Sequence, residues 1–226
     1  MKQMEFILEG RGCRVVTVGE PSVLLLEPVD RRDMEFLERE VDYLREHSSS
    51  GFALATFIVE QWNDELSPWE ADAVFGRQGF GRGAPDTLRF IAETFIPEIH
   101  SRIPALARKK TILGGFSLAA LFALWAGYES PCFSAIAAAS PSVWFPGWTD
   151  YIKARYPRTE RIYLSLGDAE EKARNRVMST VGDRIREMDS LLDGFPHTLE
   201  WNPGNHFKDA DLRTAKAFLW CMEQTA

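Results

Sequence analysis

Eight short apolar runs recur along the chain, and most are bounded by turn residues. Runs of this length and spacing predict β-strands. They cover residues 4–10, 13–19, 22–28, 52–59, 111–116, 133–140, 161–167 and 197–202. Several, such as "FALATFIV", are apolar on both faces, which is typical of parallel strands covered by helices. The first two can form an antiparallel hairpin through "EGRGC".

Three of the segments between these runs have helical periodicity, and each could cover one face of a sheet. Their apolar positions are Met34, Leu37, Val41 and Leu44, then Leu88, Ile91, Phe95 and Ile99, then Val177, Val181, Ile185, Met188 and Leu192. Strand and helix alternate from residue 22 onward, which favours parallel pairing through right-handed crossovers. The pattern predicts one α/β domain over residues 1–226, with about eight mostly parallel strands, helices on both faces and no large lid domain.

Composition and charge argue against some classes of partner. The 226 residues are 45% hydrophobic, and 26 Lys and Arg stand against 33 Asp and Glu. No basic cluster interleaved with aromatic residues runs along the chain, which argues against a nucleic-acid partner. No apolar stretch reaches the roughly 18 to 20 residues of a membrane span, and "MKQMEFILEG" lacks the pattern of a secretory signal. We therefore expect a soluble, cytoplasmic protein without a membrane partner.

The stretch "GGFSLAA" places Ser117 between very small residues where a predicted strand meets a predicted helix. A sharp strand-to-helix turn is sterically possible only when the residues two before and two after it have almost no side chain. Gly115 and Ala119 occupy those positions. The pattern therefore predicts a nucleophilic serine, although Ser117 could instead be a simple N-cap of the helix.

A nucleophilic serine needs a general base and an acid that orients it. Of the four histidines, only His206 lies in a turn after the last strand and before a helix. His47, His100 and His197 fit surface or packing roles better. Asp168, Glu170 and Glu171 follow the seventh strand, although acids there could simply stabilise the start of a helix. The chain order of serine, acid and histidine is that of the α/β-hydrolases.

With these residues in place, the chain resembles the esterase-D branch of the α/β-hydrolase superfamily, which includes S-formylglutathione hydrolases, feruloyl esterases and trilactone siderophore esterases. The resemblance rests on "LLLEPVD", "GGFSLAALFAL", "FSAIAAASPSVWF", "YLSLGDAEE" and "GNHF". It implies an eight-stranded sheet and a serine-dependent hydrolase of carboxylic esters or thioesters that forms an acyl-enzyme. It places the nucleophile on Ser117, the base on His206 and the acid on Glu170, with Asp168 in reserve.

The resemblance also implies an oxyanion hole formed by the backbone N–H groups of Leu118 and Val29. Here the chain departs from the family, because Glu27 and Pro28 replace an Asp-Gly pair, and proline has no N–H to donate. Ala119 and Ala120 likewise replace family glycines. The oxyanion hole is therefore the least secure part of the resemblance.

Four tryptophans follow strands four and six, and we expect them near Ser117 at the carboxyl edge of the sheet. They are Trp62, Trp69, Trp144 and Trp148. Trp62 and Trp144 are the candidate substrate contacts and would favour small or aromatic esters, although tryptophans also fill gaps in protein cores. The chemistry needs no cofactor, and no His, Cys, Asp or Glu cluster has the spacing of metal ligands.

Two other functions remain open from the sequence. The same triad supports acyl transfer to an alcohol or sugar, and a member of the fold that has lost catalysis would bind a small ligand. The glycine-dense stretch "GRQGFGRGA" (76–84) has no phosphate-loop spacing, and it predicts an irregular surface loop.

Overall fold

The eight predicted strands all form, and they build a single sheet in this computed structural model, which describes residues 1–74 and 76–225. The strands are β1 Lys2–Leu8, β2 Arg11–Val18, β3 Pro21–Val29, β4 Gly51–Ile58, β5 Lys110–Phe116, β6 Ala135–Ala139, β7 Arg161–Gly167 and β8 His197–Asn202. Their order across the sheet is β1-β2-β4-β3-β5-β6-β7-β8. The β1–β2 hairpin is antiparallel as predicted, β2 is also antiparallel to β4, and every other pairing is parallel.

Helices follow most of the parallel strands, as the alternating pattern predicts. They are α1 Asp33–His47, α2 Trp62–Glu65, α3 Ala84–Arg89, α4 Ile96–Arg102, α5 Leu118–Glu129, α6 Trp148–Lys153, α7 Val181–Leu191 and α8 Ala210–Thr225. A π-helical turn, Phe90–Phe95, joins α3 to α4. The third predicted helix begins later than its periodicity suggests, because Val177 is exposed and a 3₁₀ turn precedes α7.

The two faces of the sheet carry separate apolar cores. Leu24 and Leu26 of β3 point to the face covered by α5, α7 and the α3–α4 segment. Leu25 points to the opposite face, which α1 and α8 cover. This alternation follows from the two-residue period of a strand.

The parallel strands separate at the carboxyl edge of the sheet. β3 pairs with β5 only from Val23 to Leu26, and the chain beyond Leu26 pairs with β4 alone. Ligands of parallel α/β sheets bind at such an edge, beyond the carboxyl ends of the strands. The gap between the ends of β3 and β5 is where the candidate site lies.

The glycine-dense loop is irregular, as predicted, but it is not wholly a surface feature. Phe80 exchanges backbone hydrogen bonds with Ala71 and is only 5% exposed. Its ring packs edge-on against Trp144 and Phe145. A central aromatic anchor therefore fixes this loop to the body of the protein. None of the helices described in residues 1–74 and 76–225 is long and apolar enough to cross a membrane.

Candidate active site

Ser117 lies at a strained turn between β5 and α5. Its φ of 58° and ψ of −117° are unusual for a residue with a side chain, and such a conformation costs about 1 to 3 kcal/mol. A Cβ on Gly115 would lie only 2.8 Å from Cβ of Ala119, so the turn requires glycine there. The Ser117 carbonyl accepts the N–H groups of Leu121 and Ser142, both at 3.1 Å. These bonds hold the turn in its strained form.

Three of the predicted side chains meet in one hydrogen-bonded line. His206 Nε2 lies 2.9 Å from Ser117 Oγ, and its Nδ1 lies 2.7 Å from Oε2 of Glu170. The imidazole ring packs against Phe116, with 4.9 Å between the ring centroids. Loops that follow β5, β7 and β8 bring the three residues together. This geometry is that of a nucleophile, a general base and an orienting acid.

The second carboxylate oxygen of Glu170 is held by three donors. Oε1 accepts the backbone N–H of Gly167 at 2.8 Å, the hydroxyl of Ser140 at 2.8 Å and Nη1 of Arg213 at 2.9 Å. Burial favours a higher pKa for Glu170, but the hydrogen bond and charge of His206 outweigh it, with help from Gly167 and Ser140, and the pKa lies below its ordinary value. The carboxylate is therefore ionised and oriented toward His206.

Arg213 was not among the residues predicted for the site. Its side chain is 2% exposed, and Nη2 donates to the carbonyls of Pro203 at 3.3 Å and Asn205 at 3.1 Å. One guanidinium thus binds both the acid and the loop that carries His206. Its position on α8 at the edge of the apolar face is the only signal in the sequence, and that position alone does not distinguish a buried arginine from a solvated one.

Asp168, the reserve candidate for the acid, has a different position. Its Oδ1 accepts the N–H of Gly204 at 2.8 Å, which tethers the histidine loop without touching the imidazole. Glu170 is the carboxylate that faces His206. The other three histidines are remote from Ser117, since His47 bonds to Tyr43, His197 bonds to Asp189, and His100 lies on α4.

The two predicted oxyanion donors have different outcomes. Leu118 is the first residue of α5, where amides have no acceptor within the helix. Val29 pairs with Ile58, and its carbonyl accepts the N–H of Val59 at 2.8 Å. Because the N–H and C=O of one strand residue point to the same side, the Val29 amide faces β4 and not Ser117. The prediction of Val29 as an oxyanion donor is therefore wrong.

The next amide, that of Asp30, lies just beyond the last paired residue of β3. Asp30 lines the same cavity as Ser117. Its carboxylate accepts the N–H groups of Arg32 at 2.6 Å and Asp33 at 2.7 Å, which fixes the turn into α1. The turn that carries the Asp30 N–H is thus held by the Asp30 side chain.

A cavity of about 750 Å³ opens beside Ser117 and His206. Trp62, one of the two predicted substrate contacts, lines it. Trp144 does not, and it borders a separate cavity of about 360 Å³. Trp69 and Trp148 pack with Tyr151 in an aromatic cluster. Of the four tryptophans expected near Ser117, only Trp62 is among the described residues that line its cavity. Trp69, after β4, packs on Tyr151, and the chain after β6 turns Trp144 and Trp148 into the core.

Ser142 is a further polar residue at the site. Its Oγ lies 3.3 Å from Ser117 Oγ, and its side chain is 1% exposed. It belongs to "SPSVWF", which the sequence analysis used only to support the resemblance. The Ser142 hydroxyl is therefore a second hydrogen-bond partner for Ser117, besides the imidazole of His206.

Comparisons with known proteins show what the chain is similar to. Residues 42–195 match the family model "Esterase", described as "Putative esterase", a range that includes Ser117 and Glu170 and ends before His206. No curated protein matches the sequence.

Three solved structures resemble the chain along its length. An IroE-like serine hydrolase from Shewanella oneidensis has 16% identity and a TM-score of 0.81, with 100% of this chain and 81% of that one covered. The siderophore hydrolase EstB from Aspergillus nidulans has 20% identity and a TM-score of 0.77, covering 99% and 95%. EstA from the same organism has 17% identity and a TM-score of 0.75, covering 100% and 95%. These likenesses confirm the predicted α/β-hydrolase fold without a large lid.

Proposed function

We propose that this chain, which belongs to the esterase family matched by residues 42–195, hydrolyses carboxylic esters with Ser117 as nucleophile, His206 as base and Glu170 as orienting acid. The family membership makes the protein a carboxylic ester hydrolase, and the roles of the individual residues are our assignment. The observation that supports them best is the continuous line of hydrogen bonds from Glu170 through His206 to Ser117.

In the first half of the reaction, Ser117 Oγ attacks the ester carbonyl carbon while His206 Nε2 takes the hydroxyl proton. Glu170 stabilises the imidazolium that forms. When the tetrahedral intermediate collapses, Nε2 gives the proton to the leaving oxygen. The alcohol departs and the acyl group remains on Ser117.

In the second half, a water molecule takes the place of the alcohol. His206 Nε2 accepts a proton from this water as its oxygen attacks the acyl carbon, and the proton then returns to Ser117 Oγ. The carboxylic acid leaves and the resting triad is restored. Ser142 is close enough to hold the free Ser117 hydroxyl between turnovers.

The oxyanion of each tetrahedral intermediate needs donors fixed in advance, since losing one such donor can cost about 100-fold or more in rate. We assign this role to the amides of Leu118 and Asp30. Leu118 begins a helix whose N-terminus favours negative charge, and Asp30 is held in its turn by its own side chain.

The cavity supports small or aromatic esters as substrates. Its volume is ordinary for a small-molecule site, and Trp62 and Phe116 provide apolar and aromatic surface next to Ser117. Two of the solved relatives are called siderophore hydrolases. Thioesters react through the same steps, with sulfur as the leaving atom.

Covalent labelling tests whether Ser117 is activated. A fluorophosphonate probe should add once to the wild-type protein, and peptide mass analysis should place the adduct on Ser117. Ser142→Ala, which removes the neighbouring hydroxyl but leaves the triad, should still be labelled, whereas Ser117→Ala should not. A wild-type protein that stays unlabelled would contradict the assignment.

A further inference from the structure

Two buried glutamates that the proposed reaction does not use lie together in the wall of the same cavity. Glu27 is near the end of β3 and is 7% exposed, and Glu40 on α1 is 4% exposed. Glu27 shares the sheet face of Leu25, and that face is the one covered by α1. The two carboxyl groups lie close enough to affect each other's proton binding. Both line the part of the cavity wall that β3 and α1 provide.

One carboxyl oxygen of this pair is buried and not satisfied. Within residues 1–74 and 76–225, Oε1 of Glu40 has no hydrogen-bond partner, and neither carboxyl group forms an ion pair with the described basic side chains. Leaving such a buried polar atom without a partner costs about 1 to 3 kcal/mol. A substrate group that donates a hydrogen bond would recover part of that cost.

Both carboxyl groups bind protons tightly. Burial raises the pKa of Glu27 to about 8, and the nearby charge of Asp33 adds to this effect. Burial also raises the pKa of Glu40 well above its ordinary value, helped by Glu27, Asp211 and Asp33. A negative charge in this wall is thus costly unless a positive charge arrives with it.

The rest of the cavity lining is also rich in acids. Six carboxylic side chains line it, against three basic ones: Glu27, Asp30, Asp33, Glu40, Asp209 and Asp211 against Arg32, Arg39 and Lys208. Arg39 Nη1 lies 3.1 Å from Asp211 Oδ2, so part of the basic charge is already engaged. Oxygen acceptors therefore outnumber cationic donors in the lining, which suits a ligand group that donates hydrogen bonds.

We propose that Glu27 and Glu40 form a subsite for an ammonium group on the ester substrate. This inference rests on the proposed function, because it places the ammonium in the cavity that Ser117 and His206 share. When the ammonium binds, the pair releases one proton to solvent, and the remaining carboxylate and the cation neutralise each other. The glutamates thus select for amine-bearing esters over neutral ones.

The subsite has a characteristic pH dependence. Below about pH 8 the cation must displace a proton from the pair, so affinity should fall by about tenfold for each pH unit of acidification. An alkyl amine stays charged until about pH 10, so the ligand itself does not titrate in this range. A neutral ligand has no such dependence.

Calorimetric titration of Ser117→Ala tests the subsite without turnover. The two ligands are methyl 6-aminohexanoate and methyl 6-hydroxyhexanoate, which differ only in the terminal group. At pH 8 the amino ester should bind at least about tenfold more tightly, because a paired and desolvated charge is worth more than a neutral hydrogen bond. Its advantage should shrink toward pH 6, and its binding should release a proton to the buffer.

Matched variants in the Ser117→Ala background identify the groups responsible. Glu27→Gln and Glu40→Gln should abolish the preference for the amino ester yet still bind the hydroxy ester, which shows that they remain folded. Glu38→Gln, on the exposed side of α1, should keep the preference. Equal affinity for the two esters, or a preference that survives both cavity variants, would overturn the subsite. Failure of the proposed function would appear separately, as a wild-type enzyme that hydrolyses no aryl ester.

Discussion

Nη1 of Arg213 lies 2.9 Å from Oε1 of Glu170, and each of these side chains is at most 5% exposed. The guanidinium also binds the carbonyls of Pro203 and Asn205, just before His206. The proposed acid and the loop of the proposed base are therefore tied to the same buried cation on α8. A buried charge pair of this kind fixes geometry even where it adds little net stability.

Replacing Arg213 tests this link. Arg213→Met should destabilise the fold by about 3 to 5 kcal/mol, because it leaves Glu170 buried without its counter-charge. The loss of its bonds to Glu170 and to the loop before His206 should also lower kcat by about tenfold or more, because these bonds hold the two side chains in position. Urea unfolding and steady-state kinetics measure the two effects.

Arg213→Lys is the matched variant for that experiment. It keeps the positive charge and loses the planar fork, so most of the stability should return while kcat stays low. A kcat at the wild-type level in folded Arg213→Met protein would mean that Arg213 has only a structural role.

Glu170 and Asp168 should differ sharply on amide substitution. Glu170→Gln removes the charge that stabilises the imidazolium, and kcat should fall by about 10³- to 10⁴-fold. Asp168→Asn keeps an oxygen that can accept the Gly204 N–H, so its kcat should fall less than about tenfold, a cost typical of one neutral hydrogen bond. Equal losses in steady-state assays of the two variants would remove the distinction between them.

The strained turn makes Gly115 intolerant of a side chain. In Gly115→Ala the new methyl would lie 2.8 Å from Cβ of Ala119, and we expect a loss of about 1 to 3 kcal/mol in unfolding free energy. Gly12→Ala is the control, since its methyl would meet only the flexible end of Ile58 at 3.1 Å. Chemical denaturation should show a clearly smaller change for Gly12→Ala, and a tolerated Gly115→Ala would contradict the packing argument.

The Glu27–Glu40 pair should make stability depend on pH. Their folded-state pKa values are raised, that of Glu27 to about 8, so above about pH 4.5 the folded protein binds more protons than the unfolded chain. Stability should therefore fall as pH rises from there toward 8.

The double variant Glu27→Gln/Glu40→Gln removes both titrating groups, so it should gain stability relative to wild type as pH rises from 5.5 to 7.5. Urea midpoints at three pH values within that range measure the gain. Glu38→Gln should instead follow the wild-type curve. If the curves of the double variant and wild type run parallel, the pair does not titrate in the folded state as argued.

The fold was largely predictable because each strand and helix carries its own periodicity. The eight apolar runs correspond to the eight strands, and the small residues around Ser117 correspond to a real strained turn. Ser117, Glu170 and His206 could be proposed because catalytic loops in a parallel sheet follow its strands. The distinction between Glu170 and Asp168 depended on side-chain direction within one turn, which spacing does not determine.

The parts of the site that sequence analysis missed depend on three-dimensional register. The Val59 N–H donates to the carbonyl of Val29, and this bond shows that the Val29 amide faces β4 and not β5. That pairing is not visible in the sequence. Trp144 turns into the core, where its ring packs against Phe80 and Phe145. Phe80 is distant from Trp144 in the sequence, and the position of Phe145 depends on the turn after β6. The acid in "LLLEPV" was a visible signal, since a charged residue in a buried strand is rare, but its partner Glu40 was not.

Ester hydrolysis by wild type and Ser117→Ala, measured side by side, tests the central claim most directly. A panel of p-nitrophenyl esters from acetate to octanoate, with an aryl hydroxycinnamate, should be hydrolysed by the wild-type enzyme. Because Ser117→Ala removes the nucleophile and leaves the turn and the cavity in place, kcat should fall by about 10⁴-fold or more. Hydrolysis that persists at the wild-type rate in folded Ser117→Ala protein would contradict the account.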